Sequence, residues 1–271
     1  DIIHLGCPNA CKKLAQDGHL LKYESPEYKY YDKDVTSGKG AAPAMKGYWI
    51  SAMVSYFGVA YNREMTGRDL SSWDDLLDPK FKGLIIMQDI SRSSTTGYTY
   101  SGYRKKTPLS FFKKVAATQR PTVILSNRAI LNRLLAKEFA IGVFVTSRLV
   151  YKEHKRGNKH IKVFHPGGKN VAIGYHAMIL KNSSNPNTAK LFIDFMHSKK
   201  GQEILAPLMG YGIARKDLNV PAAVLNASPP TDKMNLIPFD WQTFTIKDLK
   251  RHQKEYRDIF YKTAPTKPSR K

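Results

Sequence analysis

Only two cysteines occur in the 271 residues, Cys7 and Cys11. That excludes the dense disulfide framework of small secreted domains, and two thiols lack the companion ligands of a structural zinc site. The pair is compatible with two free thiols or with one disulfide. No stretch reaches the about 18 consecutive apolar residues that a membrane-spanning helix needs. Acidic residues are scarce: 22 Asp and Glu stand against 44 Lys and Arg, a formal net charge of +22. The opening Asp1-Ile2-Ile3-His4-Leu5 has neither the basic start nor the cleavage site of a signal peptide, so a mature or trimmed chain is expected. Paired carboxylates, a Ser-His-Asp spacing, a glycine-rich nucleotide loop and metal-ligand spacing among the histidines are also missing. The expectation is a non-enzyme with no cofactor, no catalytic residue and no metal ligand.

What is present is a globular composition, 42% hydrophobic and 24% charged, long enough for one large or two modest domains. The positive charge favours polyanions, anionic surfaces or small anions. It is spread along the chain, densest at 152–162 and 262–271, as on a solvated surface, and no nucleic-acid motif accompanies it.

Strand signals lie at 1–5, 48–59, 84–87, 123–125, 140–145, 161–164 and 171–180. Helix signals lie at 11–16, 72–77, 109–116, 126–135, 185–196, 198–205 and 249–261. Ser126 and Asn185 read as helix caps, with Pro186 in the first helical position and Ala189, Phe192, Ile193 and Met196 on the inner face. Residues 28–43 and 219–240 read as loop, and the tail from Thr263 as disordered.

Two places can hold an anion. The apolar run 84–87 ends in a turn dense in hydroxyls, Ser91, Ser93, Ser94, Thr95, Thr96 and Gly97, which opens a helix. Unpaired N–H groups and the helix dipole favour negative charge there, although the same turn also serves as an ordinary N-cap. Thr146, Ser147 and Arg148 follow the strand at 140–145, on the carboxyl side where open α/β sheets gather ligands. Arg148 offers a planar charged fork suited to carboxylate or phosphonate oxygens, or is a plain surface arginine. Tyr98, Tyr100 and Tyr103 either line a pocket or pack on the sheet.

Tyr61-Asn62, Ser72-Trp73-Asp74-Asp75-Leu76-Leu77-Asp78-Pro79, Lys82-Gly83 and the Ser/Thr turn together resemble the bacterial extracellular solute-binding proteins that serve ABC importers. Within them they resemble the subgroup that handles ferric ion, polyamines, phosphonates and related solutes. The run 185–195 with Ser198 and Gly201-Gln202 resembles that family's C-terminal signature, and Tyr211-Gly212-Ile213-Ala214-Arg215 the loop that returns to its cleft. The resemblance covers roughly residues 1–260.

It implies an α/β fold of the type II periplasmic binding protein kind, two α/β lobes joined by crossing hinge strands. Residues 1–50 plus 178–271 would form lobe 1, its first βα units missing at the N-terminus, and 51–177 lobe 2. It implies a substrate-binding component that closes on a small solute and docks on a membrane ABC permease. It also implies a monomer in the periplasm, or on the outer face of the cell membrane as a trimmed lipoprotein. The candidate ligand residues are Ser91, Ser93, Ser94, Thr95, Thr96, Gly97, Thr146, Ser147, Arg148 and Tyr211. Ferric-binding members carry an adjacent tyrosine pair where this chain has Thr146-Ser147-Arg148, so the expected solute is anionic or zwitterionic: a phosphonate, organophosphate or carboxylate. The alternatives are a ferric-ion-binding protein using tyrosines and a synergistic anion, and a polyanion- or nucleic-acid-binding protein.

Overall fold

The computed structural model describes residues 1–31, 33–36, 44–219, 234–237 and 239–261. The expectations for 37–43, 220–233 and the basic tail lie outside the described residues. Two compact units divide the chain: unit 1 is Asp1–Tyr56 with Lys169–Ile246, and unit 2 is Phe57–Gly168 with Lys247–Lys271. The chain therefore passes between units at three places, after Tyr56, Gly168 and Ile246.

In chain order, unit 1 begins with β1 (Ile2–Leu5), α1 (Pro8–Gln16), α2 (Lys33–Thr36) and β2 (Met53–Ser55). Unit 2 follows with β3 (Phe57–Asn62), α3 (Arg63–Thr66), β4 (Ile85–Gln88), α4 (Ser94–Arg104), α5 (Leu109–Gln119) and β5 (Thr122–Ile124). It continues through α6 (Asn127–Leu135), β6 (Ile141–Thr146), α7 (Ser147–Lys155) and β7 (Ile161–Phe164). The chain returns to unit 1 as β8 (Lys169–Asn170), β9 (Ile173–Ile179), α8 (Pro186–His197), α9 (Lys199–Met209), β10 (Gly212–Ile213) and β11 (Asn235–Leu236). The helix α10 (Ile246–Phe260) closes the described chain.

Unit 1 is built on an antiparallel sheet in the order β1-β9-β2-β10. Cys11, Leu20, Trp49 and Met178 cluster on one side, and Met53, Ala177, Ile179, Ile193 and Met196 on the other, under α8 and α9. Burying apolar area on both faces, at roughly 25 cal/mol per Å², is the main force holding these layers. Cys7 and Cys11 are both free thiols, Cys11 buried. Two details of α8 depart from expectation. Asn185 takes the N-cap position, but its side chain does not cap the helix; it reaches Asp1 and Ser184 instead. Phe192 is half exposed, because the buried stripe is narrower and runs through Ala189, Ile193, Met196 and His197. Phe192 and Phe195 instead rim an apolar cavity of about 510 Å³ that Met53, Tyr175, Met209 and Tyr211 also line.

Unit 2 carries a mixed sheet in the order β5-β4-β6-β3-β7. Strand β4 runs parallel to β5 and β6, while β3 runs antiparallel to β6 and β7. The short turn at Trp73–Leu77 starts from a full capping box, with Ser72 and Asp75 satisfying each other's backbone donors. Ser126 caps α6 through Ala129 N–H at 3.2 Å. Tyr98, Tyr100 and Tyr103 are fully buried and belong to the core of unit 2: Tyr100 stacks on Phe112, and Tyr103 donates to the Phe57 carbonyl at 3.1 Å.

The last helix groups with unit 2 here, whereas the sequence reading placed residues 178–271 together in lobe 1. The physical reason is a set of contacts to α4 that no local pattern announces. Glu255 accepts from Tyr100 and Arg104, each at 2.7 Å, and His252 meets the Ser101 hydroxyl at 2.7 Å.

Candidate functional site

In unit 2 the directions of the strands bring the carboxyl ends of β4, β5, β6 and β7 to one edge of the sheet. The helices α4, α6 and α7 start there, so the positive ends of three helix dipoles point toward that edge. It is the place at which α/β sheets collect ligands.

The hydroxyl turn follows β4. Asp89 is buried and accepts from Ser91 N–H at 2.9 Å and from Ser91 Oγ at 2.6 Å. Ser93 is the N-cap of α4, accepting from Thr96 N–H at 3.4 Å. Ser94 and Thr95 are partly exposed in the first turn. Thr96 Oγ1 is buried with no hydrogen-bond partner among the described residues. Gly97 lies close under α10: a Cβ there would stand 2.7 Å from Leu249 Cδ1, so the leucine side chain would have to turn aside for any larger residue.

The second segment follows β6 and depends on a backbone irregularity. Gly58 pairs with Val145 but Val59 with Val143, so Phe144 is an extra residue in β6. Phe144 sits at φ +61°, a left-handed conformation that bulky side chains rarely adopt. Its ring is fully buried and packs on Trp73, Tyr100 and Tyr103. Asn127, at the start of α6, holds the bulge from outside. Its Nδ2 donates to the Phe144 carbonyl at 3.1 Å, and its Oδ1 accepts from Thr146 N–H at 2.8 Å. The same amide meets Gln88 at the end of β4, tying the two strand ends together.

Beyond the bulge, Thr146 and Ser147 are buried and Arg148 is half-buried at the start of α7. Ser147 Oγ lies 3.3 Å from His165 Nε2, at the end of β7. Burial pushes His165 down to about 4, so the ring is neutral near pH 7. The neighbourhood of α7 is cationic. Burial and the adjacent Arg148, Arg128, Arg156 and Lys155 hold the Lys152 ammonium below its usual range. The buried Glu153 answers part of this charge, with Arg128 at 3.2 Å and Arg156 at 2.6 Å.

Tyr211 is in the other unit. It is buried against Tyr175, ring centroids 5.1 Å apart, on the wall of the apolar cavity of unit 1. Nine of the ten candidate residues therefore share the edge of one sheet, and the tenth belongs to unit 1.

Asn127→Ala removes three hydrogen bonds and leaves the Phe144 carbonyl, the Thr146 N–H and the Gln88 amide oxygen to find new partners. At about 1 kcal/mol for each bond, unit 2 is expected to lose about 3 kcal/mol, measured by urea unfolding.

A family model described as Bacterial extracellular solute-binding protein matches residues 1–242. The chain belongs to that family. Comparison with curated proteins finds no match. Among solved structures, one similar fold is the periplasmic binding protein AfuA from Actinobacillus pleuropneumoniae with exogenous fructose-6-phosphate bound. It has TM-score 0.74 and 20% identity, over 96% of this chain and 82% of AfuA. Iron-bound HitA from Pseudomonas aeruginosa gives TM-score 0.71 and 19% identity, over 96% of this chain and 82% of HitA. The ferric binding protein from Campylobacter jejuni gives 0.67 and 16%, over 97% and 83%. The two α/β units and the crossing strands of this solute-binding protein are thus those of the type II periplasmic binding fold, as the resemblance implied. Family and fold are those of a non-catalytic extracytoplasmic receptor that presents a small polar or anionic solute to an ABC permease. Among the described residues no helix is long and apolar enough to cross a membrane.

Sequence reasoning missed Asn127, His165 and Gly58. His165 carried a usable signal, since His165-Pro166-Gly167-Gly168 ends a strand just as Thr146-Ser147-Arg148 does. Asn127 carried none beyond its place after a cap, because its role depends on a bulge in a strand 17 residues away.

Proposed function

We propose that this solute-binding protein captures a small oxyanion at the carboxyl edge of the unit 2 sheet, through the first turns of α4 and α7 and Arg148. The anion is either the companion of a ferric ion or part of the solute itself. The observation that carries the reading is that the starts of α4 and α7 follow two neighbouring parallel strands, β4 and β6, with Arg148 in the first turn of α7 and Arg128 in the first turn of α6. Delivery to its permease would take place in the periplasm, or at the outer membrane face if the chain is lipid-anchored, and as a monomer.

The comparisons back a ferric solute better than a phosphonate, organophosphate or carboxylate alone, since iron-bound HitA and a ferric binding protein are among the similar structures. The second reading, a phosphorylated organic solute, rests on two observations. Thr146-Ser147-Arg148 offers hydroxyls and a guanidinium where a tyrosine pair would hold iron. AfuA, with fructose-6-phosphate bound, has the same fold. Tyr211, in unit 1, enters both readings only as a further candidate ligand residue.

Native mass spectrometry and metal analysis of the purified protein separate the two. Stoichiometric iron selects the ferric reading, and a phosphorus-containing molecule without iron selects the other. Under both, Arg148→Ala is expected to weaken binding of the identified solute by about tenfold to a hundredfold in calorimetry, the loss of one charge-assisted pair. Unchanged affinity in that variant removes the proposed site.

A further inference from the structure

The hydroxyl turn is not held in place by its own strand alone. Three side chains of the last helical segment, reached only after the whole of unit 1 has been traversed, fasten it residue by residue. Tyr256 donates its hydroxyl to the Gln88 carbonyl at 2.9 Å. Tyr261 donates to Asp89 Oδ2 at 2.6 Å, while Asp89 Oδ1 takes the two bonds from Ser91. Gln253 Nε2 donates to the Ile90 carbonyl at 3.1 Å and lies 3.4 Å from the Ser93 carbonyl. Leu249 closes on Gly97, its Cδ1 standing 2.7 Å from where a Cβ would be. From Gln88 to Ser93, four of six residues are thereby bonded to one segment.

We propose that α10 and Tyr261 are the positioning element of the solute turn: they set the height and tilt of the first turn of α4 and so the aim of its N–H groups. The chemistry fits this task. Helix α4 can only present its first turn to a ligand if the carbonyls on the back of that turn are satisfied elsewhere. Gln253 and Tyr256 do this with neutral donors that do not engage the first N–H groups of α4. Tyr261 occupies Asp89 Oδ2, the oxygen that Ser91 does not use. Both carboxylate oxygens thus accept hydrogen bonds, which disperses the negative charge set beside an anion site. The tyrosines also pack, Tyr256 on Phe260 with centroids 4.6 Å apart, so the hydroxyls are delivered by a rigid helix face. The inference rests on the reading that residues 91–97 contact solute.

The test uses the full chain and the double variant Gln253→Leu with Tyr261→Phe. It removes two of the three polar anchors and keeps the shape, with the exposed Lys254→Ala as a control on the same helix. Amide hydrogen exchange is followed by mass spectrometry, and binding of inorganic phosphate by calorimetry. The expected result is exchange about tenfold faster confined to residues 89–96, with phosphate affinity about tenfold lower. Lys254→Ala should match the parent in both. Unchanged exchange at 89–96, or acceleration spread evenly through unit 2, overturns the positioning role. Should the parent protein bind no phosphate, the anion reading of the turn fails, while the exchange measurement still decides whether α10 holds it.

Discussion

Lowering the pH from 7 to 5 is expected to destabilise unit 1 by about 4 kcal/mol and unit 2 by about 2 kcal/mol. Three buried histidines carry the effect. Burial pushes His176 down to about 3 and His197 to about 4 in unit 1, and His165 to about 4 in unit 2. Asp194 and Glu27 pull His197 weakly the other way. The sign follows from linkage. Above about pH 6.5 each ring is neutral in both the folded and the unfolded chain, and folding costs no proton. Below it the unfolded chain binds a proton that the folded chain refuses, so stability falls until the folded value near 3 to 4 is reached. At pH 5 each ring accounts for about 2 kcal/mol. Denaturant unfolding at both pH values, with His197→Gln as the comparison, checks it. The variant should lose about a third of the total pH dependence, assigned to unit 1. A flat profile between pH 7 and pH 5 would refute the neutral, buried state of these rings.

The second large effect is expected from Gly58→Ala. A Cβ at Gly58 would lie 2.4 Å from the Phe164 carbonyl oxygen and 2.9 Å from His165 Nδ1. The nearer atom is backbone, so β3 and β7 must separate rather than a side chain rotate. Overpacking of this kind costs about 3 kcal/mol, or about 6–12 °C in the transition of a unit this size. The displacement also moves His165 away from Ser147 and undoes the register at the Phe144 bulge, so solute affinity should fall along with stability. Calorimetric melting together with a binding titration tests both. A variant with parental melting temperature would mean that the strands have slack at this point.

Much of this architecture was legible because it is written locally. The strand at 84–87, the short helical turn at 72–77, the cap at Ser126 and the strand at 140–145 each depend on a few adjacent residues, and each appears where patterning put it. The candidate site was legible to the extent that one rule, ligands at the carboxyl edge, follows from strand direction. What escaped depends on distance along the chain. Phe144 looks like any strand residue until its backbone turns left-handed. Tyr98, Tyr100 and Tyr103 could be assigned to the core only once Phe112 and Glu255 were known to lie against them. Gly97 also lies under Leu249, a contact that no local pattern announces. Asn185 had the right identity and place for a cap, but Asp1 offered its amide another partner.

The third passage between units has a consequence for biosynthesis. Unit 2 begins at Phe57, leaves off at Gly168, and is completed only by residues from Lys247 onward, after all of unit 1 has been made. A nascent chain emerging from the ribosome thus holds an unfinished second lobe, its Gly97 seat vacant and the back of its hydroxyl turn unfastened, until the segment from Lys247 onward has been made. Contacts that span such sequence separations form slowly. Delayed closure of this sort would keep the polypeptide loose enough to be threaded across a membrane before it takes up cargo.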